Sequence, residues 1–210
     1  MTSALRAHSE VDPLKPAVVA IAAAASLSSG AALVFAIVTD KPLWLTSTFV
    51  FVPGFVALVA LTVIARRDQQ ELFLIRLRVG VIAGLLGTLA YDVSRWTIES
   101  SGLASTDSFL ALPVFGSGLT GASTTATSAL IAGWAFHLVN GVGFALAYVF
   151  VAAGRHPLWG VLYALVLEAF MVTLYPGWLG ITLGAEFLSV SVLGHVAYGG
   201  VLGVMARRCP

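Results

Sequence analysis

AVVAIAAAASLSSGAALVFAIV, from Ala17 to Val38, contains no Asp, Glu, Lys or Arg. A helix rises about 1.5 Å per residue, so this stretch is long enough to cross the roughly 30 Å hydrocarbon core of a bilayer. We therefore predict a first transmembrane span at residues 17–38.

Five further apolar runs follow the first one along the chain. Composition agrees with this pattern, because 59% of the residues are apolar and 10% are charged, whereas soluble domains carry about 25% charged residues. The sequence therefore predicts an all-α integral membrane protein of the cell membrane, a polytopic bundle of six transmembrane helices. The predicted spans cover residues 17–38, 43–65, 79–97, 128–153, 158–175 and 187–205, which together form one transmembrane domain at 17–206.

Three polar segments lie outside the predicted spans. They are an N-terminal tail at 1–16, a C-terminal tail at 207–210 and a segment at 98–127 that is rich in Ser, Thr and Gly. The apolar patch from Phe109 to Phe115 inside the long segment is too short to cross a membrane. We therefore expect residues 98–127 to form an outer loop that is extramembrane or re-entrant.

The first two spans carry local signals of their own. Proline removes a backbone hydrogen bond, so Pro53-Gly54 predicts a kink in the second span. Residues Ala22 to Ser26 also resemble the small-residue cleavage site of a signal peptide. The apolar run continues well beyond the usual length of a signal-peptide core, which favours a membrane span.

The placement of basic residues predicts the orientation of the bundle. Lys and Arg are retained on the cytoplasmic side of membranes, and six spans that start from a cytoplasmic N-terminus put nearly all of them there. Both termini are then cytoplasmic. Only Lys41 falls in an outer loop, and Arg95 lies within a span. The residues predicted to be cytoplasmic are Arg6, Lys15, Arg66, Arg67, Arg76, Arg78, Arg155, Arg207 and Arg208.

Net charge limits the kinds of partner, and cysteine content limits the covalent cross-links. The formal net charge is +1, which argues against a nucleic-acid partner, because such a partner calls for a basic patch or stripe. Cys209 is the single cysteine, so the chain forms no internal disulfide. The partners that the sequence suggests are the lipid bilayer, an apolar or lipid-like substrate and a second copy of the chain in a homo-oligomer.

Two histidines and two acids are predicted to lie at similar depth in four different spans. An ionisable side chain near the centre of a bilayer costs at least a few kcal/mol, so its presence needs a partner or a purpose. Asp92, His137, Glu168 and His195 each lie about 12 to 20 Å along their spans. We therefore expect these four side chains to converge on one pocket.

The residue types of this cluster suit a transition metal. Neutral imidazole and carboxylate are ligands for zinc, iron, manganese and copper, and helical bundles build such sites from facing helices. The predicted ligands are Asp92, His137, Glu168 and His195. A metal with an open coordination position would oxidise or hydrolyse a lipid-soluble substrate that arrives through the membrane.

Polar neighbours of the predicted ligands are expected to orient them or to balance their charge. Asn140 shares a helix face with His137, and Ser191 and Tyr198 share one with His195. We expect these three side chains to orient the imidazoles. Arg95, at position i+3 from Asp92, is expected to balance its charge.

Two other functions remain open at this point. Intramembrane Asp, Glu and His residues also form proton relays, so the cluster is consistent with a small proton-coupled or ion-coupled carrier. Alternatively, the same residues form only interhelical polar contacts, and the chain is a structural subunit of a membrane complex.

Overall fold

The computed structural model describes residues 13–64, 67–105, 107–180 and 184–210. Regular structure in these ranges is helical, and they contain no strand. The elements in chain order are α1 (Pro16–Ser26), α2 (Ser28–Thr39), α3 (Leu43–Thr46), a π-helical turn (Ser47–Phe51), α4 (Val52–Ile64), α5 (Arg67–Ser100), α6 (Ala111–Thr120), α7 (Thr127–Ala152), α8 (Leu158–Leu179) and α9 (Ala185–Arg207). Most of the predicted N-terminal tail, residues 1–12, lies outside the described residues, as does Arg66.

Length and composition qualify most of these helices as membrane spans. Within the described residues, α1 and α2 form a pair that is bent by 51° and that qualifies when taken as one broken span. The architecture is therefore all-helical, with five such helices or six when the bent pair is counted, as the apolar runs predict. The five unbroken segments are Leu43–Ile64, Gln69–Ser100, Thr127–Ala152, Leu158–Leu179 and Ala185–Arg207.

The bend between α1 and α2 has a local cause in its serines. The Ser26 hydroxyl donates to the Ala22 carbonyl at 2.7 Å, and the Ser28 hydroxyl donates to the Ala25 carbonyl at 2.6 Å. Side chains that bond to the preceding turn in this way bend helices. Gly54 of α4 packs against the bend, and a Cβ atom at this position would overlap the Ser28 side chain.

Pro53 does not interrupt the second span. The π-helical turn Ser47–Phe51 comes directly before it, and α3, this turn and α4 form one continuous segment. A proline ring clashes with the carbonyl four residues earlier, here that of Phe49, and a widened turn relieves this clash. The expected distortion therefore takes the form of a π-helical turn on the N-terminal side of Pro53.

Helices α5, α7, α8 and α9 form the core of the bundle. Helix α5 packs against both α7 and α9, and α8 packs against α9. The α8–α9 contact brings backbones together at glycines, because a Cβ on Gly160, Gly199 or Gly203 would overlap the facing helix. Small residues allow this close approach in membrane bundles. Tyr198 and Leu202 belong to the buried cluster at the centre.

Two helices extend beyond the predicted spans. Helix α5 begins at Arg67, well before residue 79, because the charged stretch between them is rich in good helix formers such as Glu, Leu, Gln and Arg. Helix α8 continues through Pro176 to Leu179.

The segment at 98–127 contains a short helix of its own. Helix α6 packs along the first half of α7, and its ten residues are too few to cross a membrane. The contact is made by glycines, since a Cβ on Gly116 would overlap the Ala129 carbonyl and one on Gly133 would overlap the Leu112 carbonyl. Phe115 of α6 also stacks on Trp178 of α8 at 6.0 Å between ring centroids.

The two ends of the bundle differ in charge. Arg76 donates to the carbonyl oxygens of Phe150 and Pro210, at 3.0 and 3.1 Å, and the Gly154 amide donates to the Ala206 carbonyl. These bonds tie α5 to the end of α7 and to the chain after α9, and they tie the α7–α8 turn to the end of α9. We call this end, which carries Lys15, Arg76, Arg155, Arg207 and Arg208, the basic end, and we call the opposite end the α6 end.

We expect Gly116→Ala and Gly133→Ala to separate α6 from α7. Each added methyl group meets a backbone carbonyl that cannot move aside, and overpacking of this kind costs about 1–3 kcal/mol. Thermal unfolding in detergent should therefore shift to lower temperature in both variants.

Gly200→Ala is the matched control, because a Cβ there meets no atom within 4 Å. It should leave stability unchanged or raise it by up to about 1 kcal/mol. Equal unfolding temperatures for all three variants would contradict the packing of α6.

Candidate functional site

A cavity of about 120 Å³ lies among α5, α6, α7, α8 and α9, toward the α6 end. A single water needs only about 10–15 Å³, so there is space for a small organic group. The wall is mostly apolar and carries several aromatic rings. Its apolar side chains include Phe109, Phe115, Phe144, Met171, Tyr175 and Phe187, and its polar ones include Thr88, Arg95, His137, Asn140, His195 and Tyr198.

His195 lines this cavity, and its ring contacts the carboxylate of Glu168. Its Nδ1 atom lies 2.9 Å from Glu168 Oε2 and 3.0 Å from the Ser191 carbonyl. The Ser191 hydroxyl donates to the same Glu168 oxygen at 2.9 Å. Helix α9 thus supplies both His195 and Ser191 one turn apart, and α8 supplies Glu168. Only 4% of Glu168 and 1% of Ser191 are exposed.

These contacts determine the tautomer of a neutral His195 ring. With Glu168 as a carboxylate, both neighbours of Nδ1 are hydrogen-bond acceptors, so Nδ1 carries the proton. The Nε2 atom then carries a lone pair, and it has no hydrogen-bond partner among the described residues. A base oriented by a carboxylate is the arrangement that proton-transfer sites use.

His137 forms a second pair with Asp92. Its Nε2 atom lies 2.9 Å from Asp92 Oδ1, which joins α7 to α5. This pair is more open than the first, with 18% and 15% of its side chains exposed against 11% and 5% for His195 and Glu168. The ring of Trp134 lies edge-on to His137, with 5.9 Å between centroids.

Tyr91 lies against both imidazoles. Its ring centroid is 5.9 Å from that of His137 and 4.9 Å from that of His195, which it meets edge-on. Tyr91 is not among the predicted site residues. A signal for it exists, since Tyr91 is an aromatic residue directly before Asp92, but an aromatic residue inside an apolar run looks like ordinary packing.

The four predicted metal ligands therefore come together as two separate pairs. Within the described part of the chain, no group of three or more His, Cys, Asp or Glu side chains is arranged to hold a metal ion. The arrangement gives the metal hypothesis no support, and the hypothesis stays a prediction.

Arg95 does not face Asp92, although the spacing suggested that it would balance this charge. Its guanidinium donates to the Ser108 carbonyl and lies over the rings of Tyr91 and Phe109, at 4.8 and 5.6 Å from their centroids. Asp92 is oriented toward His137 instead. Arg95 thus joins the end of α5 to the segment that leads into α6.

Asn140 and Tyr198 both line the cavity, but neither has a hydrogen bond to an imidazole in the described residues. The Tyr198 hydroxyl donates to the Gly141 carbonyl at 2.6 Å, which joins α9 to α7. Asn140 is 7% exposed, and its Oδ1 atom has no partner among the described residues. Of the three predicted side chains, Ser191 is the one whose residue contacts an imidazole. Its carbonyl oxygen lies beside His195 Nδ1, and its hydroxyl donates to Glu168, which also contacts Nδ1.

Residues 75–210 match the model of a protein family whose function is unknown, DUF6789. This match covers more than half of the chain. The chain belongs to the DUF6789 family. Both imidazole–carboxylate pairs and all of the cavity lie inside the family region, whereas α1 to α4 lie outside it. No curated protein and no solved structure matches the chain.

Elemental analysis tests the metal hypothesis directly. If the four predicted ligands bind zinc, iron, manganese or copper, the purified protein should contain about one equivalent of metal, because imidazole and carboxylate together hold such ions. The double variant His137→Ala/His195→Ala should lose it. His156→Ala is the control, since this exposed histidine lies in the α7–α8 turn. Wild-type protein without metal would contradict the hypothesis.

Proposed function

We propose that this chain is a multi-pass cell-membrane protein that binds a lipid-soluble molecule in the cavity and exchanges a proton with the polar end of that molecule. The observation that carries the proposal is the position of His195. Glu168 and the Ser191 carbonyl hold its Nδ1 atom, while its Nε2 atom has no partner among the described residues and the ring lines an apolar cavity.

The exposed surface of the bundle supports insertion in a membrane. Large apolar side chains cover its outside, for example Phe49 at 71%, Val63 at 77% and Phe170 at 60% exposure. Helix α4 has no buried residue at all. Water-soluble proteins rarely expose apolar surface on this scale, and lipid would cover it without cost.

The charge difference between the ends supports a cytoplasmic position for the basic end. Membrane proteins retain Lys and Arg on the cytoplasmic side, and Lys15, Arg76, Arg155, Arg207 and Arg208 gather at one end of this bundle. Both termini are then cytoplasmic, and the cavity lies in the outer half of the membrane, below α6.

Cysteine labelling of intact cells tests this orientation. The native Cys209 is buried and burial raises the pKa of its thiol, but it is best replaced by Ser. In that background, Ser101→Cys should react with a membrane-impermeant maleimide, because Ser101 is exposed at the α6 end. Arg155→Cys, exposed at the basic end, should react only after the cells are opened. The reverse pattern would contradict the orientation.

The chemistry of the first pair suits proton transfer. Imidazole changes its charge near physiological pH, and a positioned base of this kind accepts a proton within hydrogen-bond distance. In the proposed step, the proton of a ligand O–H or N–H group moves to His195 Nε2, and its electron pair stays on the ligand. Glu168 then faces an imidazolium, whose charge it balances.

A second candidate is a proton-coupled carrier. It is favoured by the second pair, His137 and Asp92, because the His137 ring contacts Tyr91, which also contacts His195. Two titratable pairs beside one cavity are the parts that a relay needs. Such a carrier should produce a pH-dependent flux of the bound molecule in liposomes, and this flux should be lost in both Asp92→Asn and Glu168→Gln.

A chromophoric phenol tests proton exchange. We expect wild-type protein in lipid nanodiscs to raise the phenolate fraction of 2-hexyl-4-nitrophenol above that in empty nanodiscs at the same pH, because His195 accepts the phenol proton. Absorbance measures this fraction. His195→Gln should abolish the effect and Glu168→Gln should reduce it, since the imidazolium loses its counter-charge.

His156→Gln is the matched control and should behave like the wild type. A phenolate fraction that is the same with wild-type protein as with empty nanodiscs would contradict the proposed function.

A further inference from the structure

Three buried polar side chains of the cavity wall, those of Thr88, Asn140 and Ser108, have oxygen atoms without hydrogen-bond partners among the described residues. Thr88 is 2% exposed and Asn140 is 7% exposed. Neither Thr88 Oγ1 nor Asn140 Oδ1 has a hydrogen-bond partner among the described residues. Thr88 and Asn140 lie close together, since Thr88 packs directly on Gly141, the residue after Asn140. Both side chains line the same cavity as His195.

Thr88 differs from other threonines of this chain. The hydroxyls of Thr39, Thr97 and Thr173 each donate to the carbonyl four residues earlier in their own helix, at 2.6 to 2.7 Å. Thr88 also lies in a helix, but its hydroxyl makes no such bond. Leaving a buried polar group without a hydrogen-bond partner is unfavourable, so these side chains indicate that a ligand occupies the cavity.

We infer that the molecule bound in the cavity presents a phenolic hydroxyl, as an alkylated phenol or quinol does, to His195, Asn140 and Thr88. This rests on the proposed function and names its ligand class. A hydroxyl donates to the lone pair of His195 Nε2 and accepts from the Asn140 amide or the Thr88 hydroxyl. The Asn140 amide makes no hydrogen bond in the described residues, so either orientation of its O and N atoms serves.

Other polar ends fit His195, Asn140 and Thr88 less well. A ketone, ester or ether has no proton to donate, and its oxygen would face the lone pair of His195. An aliphatic alcohol is too weakly acidic to give up its proton, whereas a phenol has a pKa near 10 in water, as the tyrosine side chain shows. The aromatic side chains of the wall, among them Tyr91, Phe144 and Phe187, suit edge-to-face contact with a ring.

The proton balance needs no other reactant. The hydroxyl proton moves to His195 Nε2, and the electron pair of the O–H bond stays on the phenolate oxygen. Asn140 and Thr88 then donate to this oxygen through the amide N–H and the hydroxyl. Asn140 and Thr88 thus determine specificity, and they act by binding the ligand oxygen directly.

A matched pair of ligands tests the inference. In nanodiscs, 4-hexylphenol should bind wild-type protein at least tenfold more tightly than 4-hexylanisole, which has nearly the same shape but no hydroxyl proton. Displacement of the nitrophenol probe measures both affinities. Asn140→Leu and Thr88→Val should each weaken the phenol and leave the anisole unchanged. Thr97→Val is the control, because the Thr97 hydroxyl is already bonded within its own helix.

The possible failures are distinguishable. Equal affinity of phenol and anisole for the wild type, or a ratio that neither Asn140→Leu nor Thr88→Val changes, overturns the inference and leaves the proposed function standing. A phenolate signal that is absent in the wild type overturns the proposed function itself. If Asn140→Leu does not fold, Thr88→Val alone is used for the test, since it only replaces a hydroxyl group by a methyl group.

Discussion

Close approach of α5, α7 and α9 at glycines is the constraint on which the site depends. A Cβ on Gly141 of α7 would overlap Thr88, one on Gly87 of α5 would press on Tyr198, and one on Gly194 of α9 would press on Tyr91. Without a side chain at these positions, the helices come near enough for His137 and His195 to reach the ring of Tyr91. Larger residues would push apart the helices that carry the two pairs.

The two pairs differ in how strongly the protein stabilises their carboxylates. A carboxylate in an apolar bundle is costly unless other groups bond to it. Glu168, which is almost fully buried, is bonded through its Oε2 atom by both His195 and Ser191, whereas Asp92 is more exposed and has His137 as its partner among the described residues. The more buried pair is also the one whose imidazole has a tautomer determined by two acceptors. This difference is why the proposed proton exchange is assigned to His195.

The family match covers most of α5 and all of α6 to α9, and it leaves out α1 to α4. The DUF6789 region starts at residue 75, near the beginning of α5, and runs to residue 210. It contains all of the cavity wall, while α1 and α2 pack on α7 and α4 packs on α1, outside the site. Helix α4 contributes no buried residue. The chemistry proposed here therefore belongs to the part of the chain that defines the family.

The sequence by itself determined the helical architecture, because uninterrupted apolar runs have few alternatives to helices of membrane-spanning length. It also indicated that two histidines and two acids lie at similar levels, since position along a helix follows from its rise per residue. Only the tertiary structure decided which groups meet. The local spacing suggested that Arg95 would face Asp92, yet Asp92 bonds to His137 on another helix. Tyr91 and Thr88 also belong to the site, although neither was predicted from the sequence. Which face a helix turns toward its neighbour depends on glycine contacts between distant segments, and these contacts leave no periodic signal in one sequence.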